Sequence, residues 1–181
     1  KEDRYNNSVD LAYTGEAPSW RMAWNVAAYG VVDVDNLRWA SPIIRSGALA
    51  VPGTSKDYNR RQINIAGVRV QPSFDLWPGN QLLVGYDRER STVRSTRVRV
   101  GVNGASISQV APFDNNQTET VEALYFEDAQ RLLDERLTIR GGARRTQGET
   151  SFDPTPNLAG QVTTERDYEA RTYSLGVSWR V

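Results

Sequence analysis

The 181-residue chain has neither cysteine nor histidine. The first absence rules out disulfides, thiolate metal sites and thiol catalysis; the second removes nucleophile–histidine pairs and imidazole metal ligands. An excess of one charge is missing too: 22 basic residues stand against 22 acidic ones, and the pI is about 6.6. Nucleic acid and strongly anionic surfaces recruit proteins through positive charge, so they are disfavoured as general partners. No run approaches the ~20 consecutive apolar residues of a membrane helix. Only 39% of the chain is hydrophobic, so a large dry core is not expected. Hydropathy is blind to β-barrels, however, whose strands show only alternation. The chain opens at Lys1 without an initiator Met or signal peptide, as suits a piece of something longer.

What is present is a period of two. Residues 125–144 read as a strand, a polar turn and a returning strand. On the second arm Leu137, Ile139, Gly141 and Ala143 alternate with Thr138, Arg140, Gly142 and Arg144, which puts small and apolar groups on one face and cations on the other. The same reading along the chain gives about seven strands and no helix: 7–14, 20–34, 62–76, 81–88, the two hairpin arms, and a last run carrying Tyr173, Leu175, Val177, Trp179 and Val181. Trp20, Met22, Trp24, Val26 and Ala28 share a face opposite Arg21, Asn25 and Asp33. Trp77-Pro78-Gly79-Asn80 is the sharpest turn, with Pro presetting one central angle and Gly or Asn tolerating positive φ.

Short and long connections alternate, with long ones at about 35–61, 89–117 and 147–164; inside the second, Arg97 and Arg99 alternate with Val98 and Val100 as in a local hairpin. That order is the asymmetry of an antiparallel transmembrane β-barrel, with short periplasmic turns and long extracellular loops. Trp20, Trp77 and Trp179 all fall at the short-turn ends, where a girdle of indoles sits at headgroup depth. The rival architecture is a soluble β-sandwich serving as an adhesion or carbohydrate-binding module, and a small eight-strand outer-membrane barrel also fits the length. Strand length separates the first two: spanning strands need ~9–11 residues, sandwich strands ~5–6.

Tyr125-Phe126-Glu127-Asp128, followed by Leu137-Thr138-Ile139-Arg140-Gly141-Gly142-Ala143-Arg144, resembles the repeated barrel hairpin of the TonB-dependent outer-membrane receptors, and Leu175-Gly176-Val177-Ser178-Trp179 is similar to another of their strands. The resemblance implies an all-β fold in which the whole chain, 1–181, is a partial β-barrel domain, part of a wall of about 22 strands. No plug domain and no energy-coupling box are visible, and Val181 stands where a complete barrel ends in an aromatic. The function implied is not enzymatic. It is energy-coupled uptake of a scarce ligand, a ferric siderophore foremost, with heme or another nutrient as variants, across the bacterial outer membrane. Its partners would be that small ligand, outer-membrane lipid and lipopolysaccharide, and the TonB energy-coupling protein met through a plug domain; no cofactor or metal is expected.

Within that frame Arg38, Trp39, Arg45, Tyr58, Arg60, Arg61, Arg90 and Arg94, in or beside the first two long connections, are candidate ligand contacts. Guanidiniums would orient an anion and the aromatics would stack on a planar group. Arg21, Arg69, Asp75, Asp87, Arg140 and Arg144 are candidates for a lumen-facing row, most simply as interstrand ion pairs. The adjacent acids Glu127-Asp128 and Asp134-Glu135 are poorly placed for joint chemistry, because neighbours on a strand point to opposite faces.

Overall fold

The computed structural model describes residues 2–40, 44–46, 49–51, 55–101 and 107–180. Ten strands occur among them: β1 (Glu2–Ala17), β2 (Met22–Ala40), β3 (Ile44–Ser46), β4 (Leu49–Val51), β5 (Ser55–Phe74), β6 (Asn80–Gly101), β7 (Ile107–Val110), β8 (Gln117–Leu132), β9 (Leu137–Phe152) and β10 (Glu165–Trp179). Seven long ones form a single antiparallel meander in the order β1-β2-β5-β6-β8-β9-β10, β7 adds to the end of β6, and β3 pairs β4 separately. These strands run 15 to 22 residues, beyond what a sandwich uses, and they lie in one sheet rather than two facing ones. β1 and β10 are its edges, so the sheet is open, a portion of a wall rather than a closed eight-strand barrel.

The short turns share one end. Pro18–Trp20 forms a 3-10 turn closed by Arg21 at φ 48. Gly79 at φ 82 completes the second, where the Asn80 amide donates to the Trp77 carbonyl at 3.1 Å. Leu133, Asp134 and Glu135, all at positive φ, make the third. At the other end the ladders run further than the expected loop bounds: β2 continues to Ala40, β5 begins at Ser55, β6 reaches Gly101 and β9 reaches Phe152. Asp, Asn, Ser and Arg read as loop chemistry there. Beyond the apolar belt, however, both faces of a strand meet water, and paired backbone needs no alternation of polarity. The local hairpin expected around 96–101 takes the form of Arg97–Val100 paired with Ile107–Val110.

Register makes the sheet two-faced. One face carries Val9, Leu11 and Tyr13 of β1, Trp24–Val34 of β2 at every second residue, Ala66–Phe74 of β5, Leu82, Val84 and Tyr86, then Leu124 and Phe126, Leu137–Ala143, and Tyr173–Trp179. Most of these large side chains are open to the surroundings, Leu175 at 82% and Tyr173 at 78%. In water so large an exposed apolar surface would be a liability; against lipid it is the stable arrangement.

The belt also slants. The row of paired residues that starts at Leu11 passes Ala28, Val68, Arg88, Glu122 and Gln147 and ends at Glu169. On β10, though, the belt is centred between Leu175 and Val177, about seven residues nearer the short turns. At ~3.3 Å per residue and ~4.8 Å per strand, that slip over six steps corresponds to strands tilted by about 40°. Transmembrane barrels tilt their strands by about 35–45°.

Candidate functional site on the polar face

The opposite face is polar and many of its charges are joined in pairs. At the depth of the belt they converge on Asp87 of β6, which lies directly across from Arg69 of β5. Asp87 Oδ1 accepts from Arg69 Nε at 3.1 Å and from the Tyr125 hydroxyl at 3.1 Å, and Oδ2 accepts from Arg144 Nη1 at 3.0 Å. Gln71 Nε2 donates to the Tyr125 oxygen at 2.7 Å, and the Arg144 guanidinium stands 5.0 Å from the Tyr125 ring centre. Tyr29 donates to Glu89 alongside. One carboxylate thus ties four consecutive strands of the wall, β5, β6, β8 and β9.

These tyrosines reach their partners because each lies flat over a glycine directly across the ladder. Tyr29 covers Gly67, Tyr125 covers Gly85 and Tyr168 covers Gly148. A Cβ at Gly85 would come within 2.0 Å of the Tyr125 ring, and one at Gly67 within 2.3 Å of Tyr29. The ring shields backbone that a side chain would otherwise cover, and the missing side chain leaves it room.

A second set lies toward the long connections. Asp57 of β5 is bonded by Arg97 and by Arg99, whose Nε meets Oδ1 at 2.9 Å. The Arg99 hydrogen bonds, with Arg97 beside them, hold this carboxyl down at about 2 although burial opposes its charge. Arg97 also stacks 4.0 Å from the Phe113 ring centre. Nearer β1, Asp35 meets Arg61 at 2.6 Å and Arg4 at 3.4 Å, while Asp33 meets Arg4 at 2.6 Å and Asp114 meets Arg61 at 3.8 Å. Four guanidiniums thus face four carboxylates. Between the two groups Asn59, 2% exposed, keeps both amide atoms unpartnered, an uncommon expense for a buried polar group.

The connections are locked onto this end. The Asn116 side chain accepts from the Ser95 amide at 2.7 Å and donates to the Pro154 carbonyl at 3.0 Å, and its backbone amide donates to Thr155 Oγ1 at 2.9 Å.

Among the expected inward row, Arg69, Asp87 and Arg144 meet in one cluster, and Arg140 lies on the polar face without an ion pair among the described residues. Arg21 and Asp75 lie in the turn segments instead, where the Asp75 amide donates to the Arg21 carbonyl at 2.9 Å. Among the ligand candidates whose side chains are described, Arg61 alone shares the polar face. Register sets Arg38, Tyr58, Arg60, Arg90 and Arg94 on the belt-bearing face, beyond the belt. There Arg38 stands 5.8 Å from the ring centre of Tyr58 and 3.7 Å from Asp3, and Arg94 meets Asp153 at 2.7 Å. The side chains of Trp39 and Arg45 lie outside the described residues. Trp20, Trp77 and Trp179 are exposed at the short-turn end, with Trp77 Nε1 donating to Gln130 at 2.9 Å. Tyr29, Gln71, Tyr125 and Asp57 escaped the sequence reading. A tyrosine across from a glycine is a signal, but it becomes visible only once the register is known.

The sequence matches the model of the family described as TonB dependent receptor-like, β-barrel, over residues 1–181. Among solved structures, the crystal structure of the ferric citrate transporter FecA in the unliganded form is similar, with a TM-score of 0.71 at 17% identity. That match covers 97% of this chain and 25% of FecA, so the chain spans about a quarter of the solved protein's length. No curated protein matches the sequence.

Proposed function

The chain belongs to the TonB-dependent receptor family, as part of its β-barrel, and from that membership we propose that it forms wall and surface connections of an outer-membrane receptor for energy-coupled uptake of a scarce small ligand. The observation that carries this reading is the two-faced tilted sheet: a slanting apolar belt on one side and a continuous, ion-paired polar surface on the other. A wall between lipid and a hydrated lumen needs both. The chain's work is binding and passage rather than chemical conversion.

The ligand proposed is a ferric siderophore or other iron chelate. Family membership supports it, as does the likeness to a protein described as a ferric citrate transporter. Balanced charge on the distal polar face favours recognition of a hydrated, hydrogen-bonding chelate over capture by bare positive charge. TonB would be met through a plug domain, away from this wall. The test is uptake of radiolabelled ferric chelates by iron-starved cells with and without the gene, in TonB-positive and TonB-negative backgrounds. Uptake that requires both genes supports the reading; uptake indifferent to TonB, or a parent protein that fractionates in water without detergent, overturns it.

A further inference from the structure

Most of the large apolar side chains exposed among the described residues lie on the belt-bearing face. Phe113 does not. It sits in the connection between β7 and β8 and stands over the distal polar face, its ring centre 4.0 Å from the guanidinium of Arg97. The Arg97 side chain is only 14% exposed whereas Phe113 is 56% exposed, so the ring is the outer layer of the pair.

The mount beneath it is rigid. Pro112 is buried, Arg97 Nη1 donates to the Ala111 carbonyl at 3.5 Å, and Asp114 meets Arg61 at 3.8 Å. Beyond them the Asn116 side chain is pinned to the Ser95 amide, and the Asn116 carbonyl accepts from the Asp153 amide at 2.9 Å. An aromatic ring held out at a fixed place has little freedom left to lose when a ligand covers it, which makes it an economical binding contact.

The charges around the ring are already matched, Arg97 and Arg99 by Asp57 and Arg61 by Asp35 and Asp114. An anion would have to displace a carboxylate to gain any of these guanidiniums. Stacking on the ring needs no such exchange. The Arg97 cation also draws on the π-electrons of the face it covers, so the rest of the ring favours an electron-rich partner such as a phenolate.

We propose that Phe113 is a ligand contact that selects iron chelates bearing an aromatic ring, phenolate or catecholate, with Arg97 as the positioning residue behind it. The inference rests on the receptor reading and narrows its ligand class.

The test uses the intact receptor in iron-starved cells that lack other ferric receptors, and follows uptake of radiolabelled iron from two probes, ferric dihydroxybenzoate and ferric acetohydroxamate. Phe113→Leu keeps an apolar cover on Arg97 but removes the ring. At an unchanged level of receptor in the outer membrane it should raise the half-saturating concentration of the dihydroxybenzoate chelate by about threefold to tenfold, the worth of one aromatic pair. The hydroxamate value should not move, and Phe113→Tyr should restore the wild-type preference. An equal change for both probes makes the ring a structural cap on Arg97 and overturns the proposal, as does no change for either. Wild-type uptake of the hydroxamate alone overturns it too while leaving the receptor reading intact. Uptake of neither chelate, or uptake indifferent to TonB, sinks the receptor reading and the proposal together.

Discussion

Asp87 and Asp57 each hold two guanidiniums on the polar face, yet the ladders they join and the solvent they meet differ. Asp87 collects Arg69 from β5, Arg144 from β9 and the Tyr125 hydroxyl from β8, all at belt depth, and its guanidinium partners remain 51% and 41% exposed. Asp57 takes both partners from β6 alone, beyond the belt, and with Arg97 is nearly sealed, their side chains 6% and 14% exposed. The first arrangement spreads modest, hydrated interactions over a wide piece of wall. The second concentrates them on the single β5–β6 pair, which the end of β2 and the short β7 flank beside the Phe113 segment. Water screens the one and not the other, so like chemistry should have unlike energetic weight.

The sharpest way to test this contrast is to remove each carboxylate. Asp57→Ala strands two guanidiniums, one of them buried, and should destabilise the distal β5–β6 ladder by about 3 kcal/mol. Hydrogen exchange should show residues 55–61 and 95–101 losing protection by about two orders of magnitude, with β9 unaffected. Asp87→Ala should cost only about 1–2 kcal/mol, because its partners can turn to water. Its effect should appear on β5, β6, β8 and β9 together. Equal and equally local losses in the two variants would erase the distinction.

Gly85→Ala probes the belt-depth cluster from its floor. The new methyl must displace the Tyr125 ring, which carries the hydroxyl away from Asp87 and Gln71. The expected cost is about 1 kcal/mol, the worth of the hydrogen bonds lost. Combined with Tyr125→Ala it should nearly vanish, since the ring it strikes is gone. A full additive cost in the double variant would mean that the glycine serves the backbone and not the tyrosine.

Both clusters bear on what could be read from residues alone. The alternation at Leu137–Arg144, the turn at Gly79 and the short–long order needed only neighbours in sequence, so the two faces and the meander were legible. Arg69, Asp87 and Arg144 could be named for the polar face because parity along a strand assigns a side. That they meet at one carboxylate required the register between strands 18 and 57 residues apart in sequence. Register also divides the loop arginines between the faces: Arg60 and Arg61 are neighbours, and one position of parity sends Arg61 to Asp35 and Arg60 to the opposite face. Where strands leave the belt, polarity stops alternating, so ladder and loop read alike. That is why residues 35–40, 55–61 and 89–101 read as connections in the sequence although they are ladder in the fold.

The smallest expected effect, and the most specific, is in acid. The ordinary carboxyl value is 3.8 and the folded value for Asp57 is about 2. A depressed value means that the ion pairs contribute fully above the ordinary value and are lost as pH falls through the folded one. Between pH 4 and 2, therefore, unpaired carboxylates have already protonated while Asp57 still holds Arg97 and Arg99. Carboxyl NMR of the receptor labelled at aspartate should place its titration near the bottom of that window. Pepsin, active throughout it, should begin to cut within 95–101 only as Asp57 titrates, and Asp57→Asn should be cut there across the whole window. Asp87→Asn should leave that pepsin profile unchanged, because its cluster lies at belt depth and contacts neither Arg97 nor Arg99. If Asp87→Asn opened the distal segment as readily as Asp57→Asn, the two clusters would be one cooperative network rather than two with separate weights.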